Sequence, residues 1–583
     1  MKLNEKSSSD IVKVFINGVI YSIDEKSSIY EAMAIKDGKI VALGTNDEIS
    51  NYFIDKKEII DLKYRTVLPG FIDAHCNMSE RDIMKKGDLS LFQCNNVTEY
   101  LIYIQNYIDT HPEEKVIYGI GWKNSIFEKN EEELNCYSEV FKGPNKKWLD
   151  KIETDKPIVL RSFDGHSLWL NSKAFEYFKI TPNTNVPNGG RIELDEQNQL
   201  WGILKESAVY LVNIDWIDKY EDKEYIDNFI KYQKLQHSHG VTTIGLIDTK
   251  EVKMPLELYG KLENMKELKL RIVYGVTILP KELCKRSVNE QLHELKRNRI
   301  IYSTELFLVS VAKFFSDGII ENMTAFLFKP YTLIDDKCNE KQGLFLWDIN
   351  ELKEGIKMAN RLEFNVCIHA KGDLACKFAI DGIEYSIINN QNKTFRNSLI
   401  HVDLITQYYI RKMKALKINT IIESCWFYKS MSLSKNEVLA IGKERAYRQY
   451  PVKSLVDLGV ITAATSDDNT SVKINPLEAI ECATVRNLYD FLPSGYPEII
   501  NMNDVKYRLN PRERISIVEA IKMFTINAAY VLGKEKEIGS LEIGKKADFI
   551  VLDKDIVWTN PLDIGNININ RTYFNGELVY LNE

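Results

Sequence analysis

Val67-Leu68-Pro69-Gly70-Phe71-Ile72-Asp73-Ala74-His75 decides the fold. A short apolar run of strand length stops on an imidazole. The arrangement recurs downstream: Phe364-Asn365-Val366-Cys367-Ile368 ends at His369, and Ser398-Leu399-Ile400 ends at His401. Two further runs end in other metal-competent groups. Val311-Ala312 leads to Lys313, and Ile461-Thr462-Ala463-Ala464-Thr465-Ser466 leads to Asp467. Ligand-type groups just past the ends of successive strands are how a β/α barrel builds a site on its C-terminal face.

Working outward, eight strand-like segments stand at roughly 67–75, 242–248, 269–276, 307–315, 364–370, 398–403, 418–425 and 461–468. Helical patterns separate most of them, as at Tyr225–His239, Glu351–Leu362 and Leu374–Ile388. Strand–helix alternation predicts parallel β/α units, and eight of them predict an α/β fold, a closed TIM-like (β/α)8 barrel over 67–535. The ends of the chain read differently. Residues 11–66 alternate short β patterns (Val12–Ile16, Ala32–Ile35, Lys39–Gly44) with hairpin turn signals at Asn17-Gly18 and Asp37-Gly38. Ala547–Leu552 and Arg571–Tyr580 return to that style, so 1–66 and 536–583 are expected to form one small β-sandwich. About 165 residues separate the first two barrel strands, far beyond a normal loop. This insertion, 80–235, has β-like runs of its own at Val116–Trp122 and Pro157–Phe163. Leaving the C-terminal face, it is placed to cover the site as a lid or wall.

Bulk properties agree. Of 583 residues, 44% are hydrophobic and 27% charged, enough for a large core and too ordered a composition for global disorder. The formal charge of −7, without long single-sign runs, argues against a nucleic-acid-binding surface. No apolar run approaches the roughly 20 residues of a membrane span. Nine scattered cysteines without a Cys-x-x-Cys pair read as reduced thiols, and the N-terminal residues lack an apolar signal core, so a cytoplasmic location is expected. The expected partners are a small-molecule substrate and a second copy of the chain, with neither nucleic acid nor membrane.

The sequence resembles the amidohydrolase superfamily, in the branch that includes N-substituted formamide deformylases. Val67–His75 is similar to its first-strand signature. Asp164-Gly165-His166-Ser167-Leu168-Trp169-Leu170-Asn171-Ser172 and Gly202-Ile203-Leu204-Lys205-Glu206 resemble the branch's insertion. Lys313-Phe314-Phe315-Ser316-Asp317-Gly318 resembles its strand-4 lysine motif. His369-Ala370-Lys371-Gly372-Asp373 and Thr465-Ser466-Asp467 match the strand-5 and strand-8 positions, and Gly539–Asp548 matches the return into the sandwich. The resemblance implies a carbamylated Lys313 bridging two divalent metals, with His369 and His401 on one and His75 and Asp467 on the other. It implies hydrolysis by metal-activated hydroxide, with Asp467 taking the water's proton and returning it to a leaving amine. Imidazole and carboxylate suit zinc and similar ions, and carbamylation turns a cationic lysine into an anionic oxygen donor.

One position departs from the family. Its first strand ends in His-x-His; here the second place holds Asn77, a weaker, neutral donor. The site is therefore expected to hold one or two ions, zinc first, with manganese or iron as oxygen-preferring alternatives. Blander readings stand beside the others. Asp467 precedes Asp468 and Asn469, which also suits a turn or cap. His166 faces substrate or sits in a simple turn. Glu206 reads as helix surface or lid packing, and Cys76 as a buried, inert thiol. Trp122 and Asp317 are further substrate-facing candidates. The chain thus reads as a metal-dependent hydrolase of a non-peptide C–N bond in a small amide, N-acyl or N-formyl amine. The alternatives are a non-catalytic small-molecule-binding relative, and a deaminase or cyclic amidase.

Overall fold

The computed structural model describes residues 12–52, 57–77, 89–127, 141–213, 221–248, 254–332, 341–391, 393, 395–430, 433–467, 475–487, 499 and 501–582. Eight strands form one sheet in chain order: β1 Phe71–Cys76, β2 Val241–Asp248, β3 Arg271–Thr277, β4 Phe307–Phe315, β5 Asn365–Ala370, β6 Ser398–His401, β7 Asn419–Ile422 and β8 Thr462–Ala464. Each neighbouring pair is parallel. The barrel is held shut between β8 and β1 by side chains. The hydroxyl of Thr465 donates to Asp73 at 2.7 Å, and the Ser466 amide donates to the same carboxylate at 3.2 Å. Burial pushes the Asp73 carboxyl up to about 6, against the pull of those bonds from Ser466 and Thr465.

The barrel is packed inside, as β/α barrels are. Ile72 and Ala74 of β1, Ile247, Val273, Val311, Cys367, Ile400, Ile421 and Ala463 make one buried cluster, closed from below by Ala528, Ala529 and Val531 of the helix Ile526–Val531. Helices cover the outside and begin where their sequences provide caps. Asp348 accepts from the amides of Asn350 and Glu351 to start Ile349–Arg361. Ser287 and Glu290 form a capping box for Val288–Tyr302. No helix among the described residues is long and apolar enough to cross a membrane.

Residues 67–75 are two strands, not one. Thr66–Pro69 lies in a six-stranded sheet between Phe549–Leu552 and Val19–Tyr21, and the barrel begins only after Gly70. A Cβ on Gly70 would stand 2.4 Å from the Thr242 hydroxyl of β2, so the crossing needs glycine. Both strands are buried, which is why the apolar run shows no break. That six-stranded sheet faces a four-stranded one, ordered Lys39–Gly44, Ala32–Lys36, Val12–Ile16, Lys57–Asp61. Phe15 of one sheet meets Phe549 and Tyr573 of the other, at 5.1 and 5.2 Å between ring centres. Asp37-Gly38 turns a hairpin, as expected. Asn17-Gly18 does not: Val12–Ile16 and Val19–Tyr21 lie in different sheets, and the pair carries the chain from one to the other.

Between β1 and β2 a second six-stranded sheet runs in the order Gly190–Leu194, Leu200–Glu206, Ser167–Leu170, Ile158–Ser162, Ile117–Trp122, Leu89–Ser90. One end of it faces the barrel mouth and supplies Trp122, Arg161, His166 and Glu206 to the wall of the cavity described next.

Candidate active site

A cavity of about 830 Å3 opens over the C-terminal ends of the barrel strands. His75, Asn77, Lys313, His369, His401 and Asp467 all line it. They reach it by different routes. Strand side chains alternate between faces. Val311 and Cys367 point into the barrel, so Lys313 and His369, two residues on, do so as well. By the same rule Ile421 brings Glu423 inward. His75 would face out after Ala74, but the pairing of β1 with β2 slips between Ile244 and Leu246, and this bulge re-aims it. Gly245 makes the bulge fit: a Cβ there would meet the Ala74 carbonyl oxygen at 2.3 Å. His401 and Val402 turn inward through left-handed backbone, with φ of +76° and +53°, and Asp467 has φ of +45°. Such strain persists only where the surrounding packing imposes it, and it concentrates at functional sites.

The floor is a cluster of buried ligand-type atoms. Lys313 Nζ lies 3.0 Å from His75 Nε2. Asp467 Oδ1 accepts from Asn77 Nδ2 at 3.2 Å and stands 3.5 Å from His75 Nδ1. The His369 and His401 rings are 4.4 Å apart, and His369 Nε2 is 3.2 Å from the Gly318 carbonyl oxygen. His401 Nδ1 is 2.9 Å from Glu423 Oε1, close enough for an ion pair but not aligned as a hydrogen bond. His75 Nδ1, Asn77 Oδ1, His401 Nδ1 and both Glu423 oxygens are buried without a hydrogen bond to protein. Burial holds all three imidazoles below their usual range, helped by nearby cations, so they are neutral at pH 7 and able to donate a lone pair. Burial likewise lowers the Lys313 amine and drives the Glu423 carboxyl well above the ordinary carboxylate range.

A second tier surrounds this floor. Lys371 Nζ donates to Asp403 at 3.0 Å and lies 4.8 Å from the Trp426 ring centre. His166 Nδ1 is 2.7 Å from Glu206 Oε2, while Glu206 Oε1 accepts from the Thr324 hydroxyl at 2.6 Å. Trp122 presents its rings, because its indole N–H is engaged by the Leu160 carbonyl at 2.9 Å. Glu206 is therefore not helix surface; it ends a strand, is 6% exposed and neutralises a cavity histidine. Asp317, expected to face substrate, does not line the cavity. Its carboxylate takes the backbone amides of Phe326, Lys371 and Gly372 at 2.9, 3.1 and 2.9 Å and ties the loops after β4 and β5 together. Cys76 points away from the cavity, 3.5 Å from the Tyr232 hydroxyl. Asp468 and Asn469 lie outside the described residues.

Lys371, Glu321 and Glu437 also line the cavity, Glu423 is buried beside His401 and Asp467, and none of the four was singled out from sequence. Glu423 carried a signal like that of the others: it directly follows the short strand-like stretch Ile418–Ile422. Lys371 stands two residues beyond His369, the strand repeat that keeps a face.

The His166–Glu206 pair has a consequence for stability. Burial opposes the imidazolium, but the Glu206 carboxylate prevails and raises His166 to about 9. Its unfolded value is about 6.5. The folded state therefore binds the proton more tightly; the gain is full below about 6.5 and is lost as pH rises through about 9. Thermal midpoints of the wild type should fall over that window by more than those of His166→Gln. Parallel profiles for the two proteins would show that the pair carries no linked proton.

A model of the amidohydrolase family matches residues 58–580. N-substituted formamide deformylase of Arthrobacter pascens is 24% identical over 578 residues, covering 97% of this chain and 98% of that protein. Putative amidohydrolase YtcJ of Bacillus subtilis is 25% identical over 575 residues, covering 97% and 99%. Among solved structures, an uncharacterized metal-dependent hydrolase from Pyrococcus horikoshii OT3 superposes with a TM-score of 0.67 at 22% identity, over 94% of this chain and 99% of that one, a likeness of fold.

Proposed function

Because the chain belongs to the amidohydrolase family, we propose that it is a metal-dependent hydrolase cleaving a non-peptide C–N bond of a small amide, N-acyl or N-formyl amine. The observation that carries the reading is the floor of the cavity. Buried polar atoms are normally hydrogen-bonded, yet His75 Nδ1, Asn77 Oδ1, His401 Nδ1 and the Glu423 oxygens lie there without a hydrogen bond to protein. Neutral imidazoles and carboxylates in that state are a donor set suited to a divalent cation. His75, Lys313 as its carbamate, His369, His401 and Asp467 would hold it, with Asn77 as a weak further donor. When bound, the cation supplies Lewis acidity, acidifying a water toward neutrality and polarising a substrate carbonyl.

The chain's own groups do the rest. Asp467, 5% exposed, is placed to accept the proton of the attacking water and return it to the leaving amine. The His166 imidazolium, fixed by Glu206, offers a hydrogen bond from the cavity wall. Trp122 gives an apolar surface against which an amine substituent packs. The volume of about 830 Å3 suits a small molecule and not a folded protein. The formamide-cleaving relative makes N-formyl amines the first compounds to try. Elemental analysis of the purified protein beside a panel of N-formyl and N-acyl amines tests the reading. Neither metal nor turnover would leave a small-molecule-binding protein.

Asn77 makes a separate prediction. Its amide reaches the Asp467 carboxylate that also faces His75, so the cation position on that side lacks one imidazole. One firmly held metal per chain is expected, near His369 and His401, with a weak or vacant position beside His75. Asn77→His should raise metal stoichiometry toward two. Two ions that survive dialysis against chelator in the unaltered protein would refute the asymmetry.

A further inference from the structure

Glu423 is a buried carboxylate that this family arrangement leaves without a task. It follows Ile422, the last residue of β7, and faces the barrel mouth because Ile421 two places earlier is the one that enters the barrel interior. It is 0% exposed, and neither of its oxygens accepts a hydrogen bond from protein. The strong cation on that side, Lys371, has its ammonium on Asp403 at 3.0 Å. An isolated buried carboxylate is among the most costly groups a fold can hold. Its surroundings have the composition of a ligand shell: one ligand-type atom each from His401, Glu423 and Asp467 lies within 4.8 Å of the other two, and all three residues are buried. The His401 atom facing it, Nδ1 at 2.9 Å, makes no hydrogen bond either.

We propose that Glu423 is a metal ligand, completing with His401 and Asp467 a site of one imidazole and two carboxylates. The proposal rests on the metal-dependent reading above and names which of the chain's residues hold the firmly bound ion. Two carboxylates and a neutral imidazole balance a divalent charge among themselves. This donor set is harder than an imidazole-rich one, so its preference moves toward manganese and away from zinc. Glu423 is also next to a 3-10 turn, Ser424–Trp426, whose Trp426 ring stacks parallel to His401, at 6.2 Å and 2°. The strand end and this turn fix both donors without help from the long loops.

The test uses the full-length protein stripped by chelator and titrated separately with Mn2+ and Zn2+. The readouts are free Mn2+ by electron paramagnetic resonance, competition with an indicator chelator for Zn2+, and the thermal midpoint with and without ion. Glu423→Gln should weaken Mn2+ binding by more than about 100-fold, since even outer-shell partners are worth roughly 10–100-fold. It should weaken Zn2+ less. Glu423→Asp, which keeps the charge, should lose about tenfold or less. Without metal, Glu423→Gln should melt at or above the wild type, because the amide replaces a buried carboxyl whose oxygens accept no hydrogen bond from protein. An ion-pair role with His401 gives the opposite sign there. Unaltered Mn2+ affinity in Glu423→Gln, or a lower melting point without metal, would overturn the proposal while leaving a metal on His369 and His401 intact. A wild type that binds neither ion would instead overturn the functional reading beneath it.

Discussion

Replacing Asp467 by Asn is expected to lower kcat by about 10²-fold or more, the usual cost of losing a positioned general base. The substitution keeps the shape and the hydrogen-bonding reach of the side chain and removes its negative charge and its capacity to take a proton. The position supports the role: Asp467 follows β8, is 5% exposed, and stands on the cavity floor with Oδ1 3.2 Å from Asn77 Nδ2 and 3.5 Å from His75 Nδ1. Those contacts hold the carboxylate still, and a φ of +45° fixes the turn that delivers it. Because Asp467 is also a ligand candidate, the variant must be measured per bound metal ion. A fall in kcat at unchanged metal content separates proton transfer from ligation. A near-normal kcat per ion would assign the proton elsewhere, and Glu423, with an oxygen within 4.8 Å of an Asp467 oxygen, is the next carboxylate in reach.

The barrel was legible because its strands are short, apolar and separated by amphipathic helices, so all eight segments could be placed from periodicity. The alternation rule carried further and brings Lys313 and His369 to one face. What sequence could not show is how the rule is broken. His75 enters the site through a bulge that depends on Gly245 in a different strand, and His401 through left-handed backbone in a β-branched neighbourhood. Neither leaves a mark on hydrophobicity. Gly70 hides a change of sheet inside an unbroken apolar run, for the same reason. Asp317 misled because an acid beyond a strand end looks substrate-facing until its three backbone donors are seen. Glu206 misled in the opposite direction: its partner His166 lies 40 residues away, and no local pattern links them. Glu423 was legible by the rule that found the histidines.

Lys313→Ala should abolish tight metal binding and turnover together. Lys313 is 0% exposed at the end of β4, with Nζ 3.0 Å from His75 Nε2 and 4.9 Å from the Phe315 ring centre. A protonated lysine there would place a full positive charge beside the imidazoles proposed to hold a cation, and the two charges would repel. Burial acts against that form, lowering the amine's affinity for a proton and making the neutral, nucleophilic state accessible. The neutral amine can add to carbon dioxide. The nitrogen–carbon bond forms, one N–H proton leaves, and an anionic carbamate remains; His75 Nε2 is near enough to take that proton. The outcome reverses the sign of the side chain's charge at the point where a cation is needed. Removing the side chain therefore deletes an anionic donor outright, and metal affinity should fall by more than about 100-fold, beyond the roughly 10–100-fold worth of an outer-shell partner. Bicarbonate supplied with metal should restore activity to wild type that has lost carbon dioxide, and should do nothing for the alanine variant. Metal content that is the same in both proteins would show that Lys313 is no ligand. In that event its amine, held 3.0 Å from His75, acts only to orient that ring.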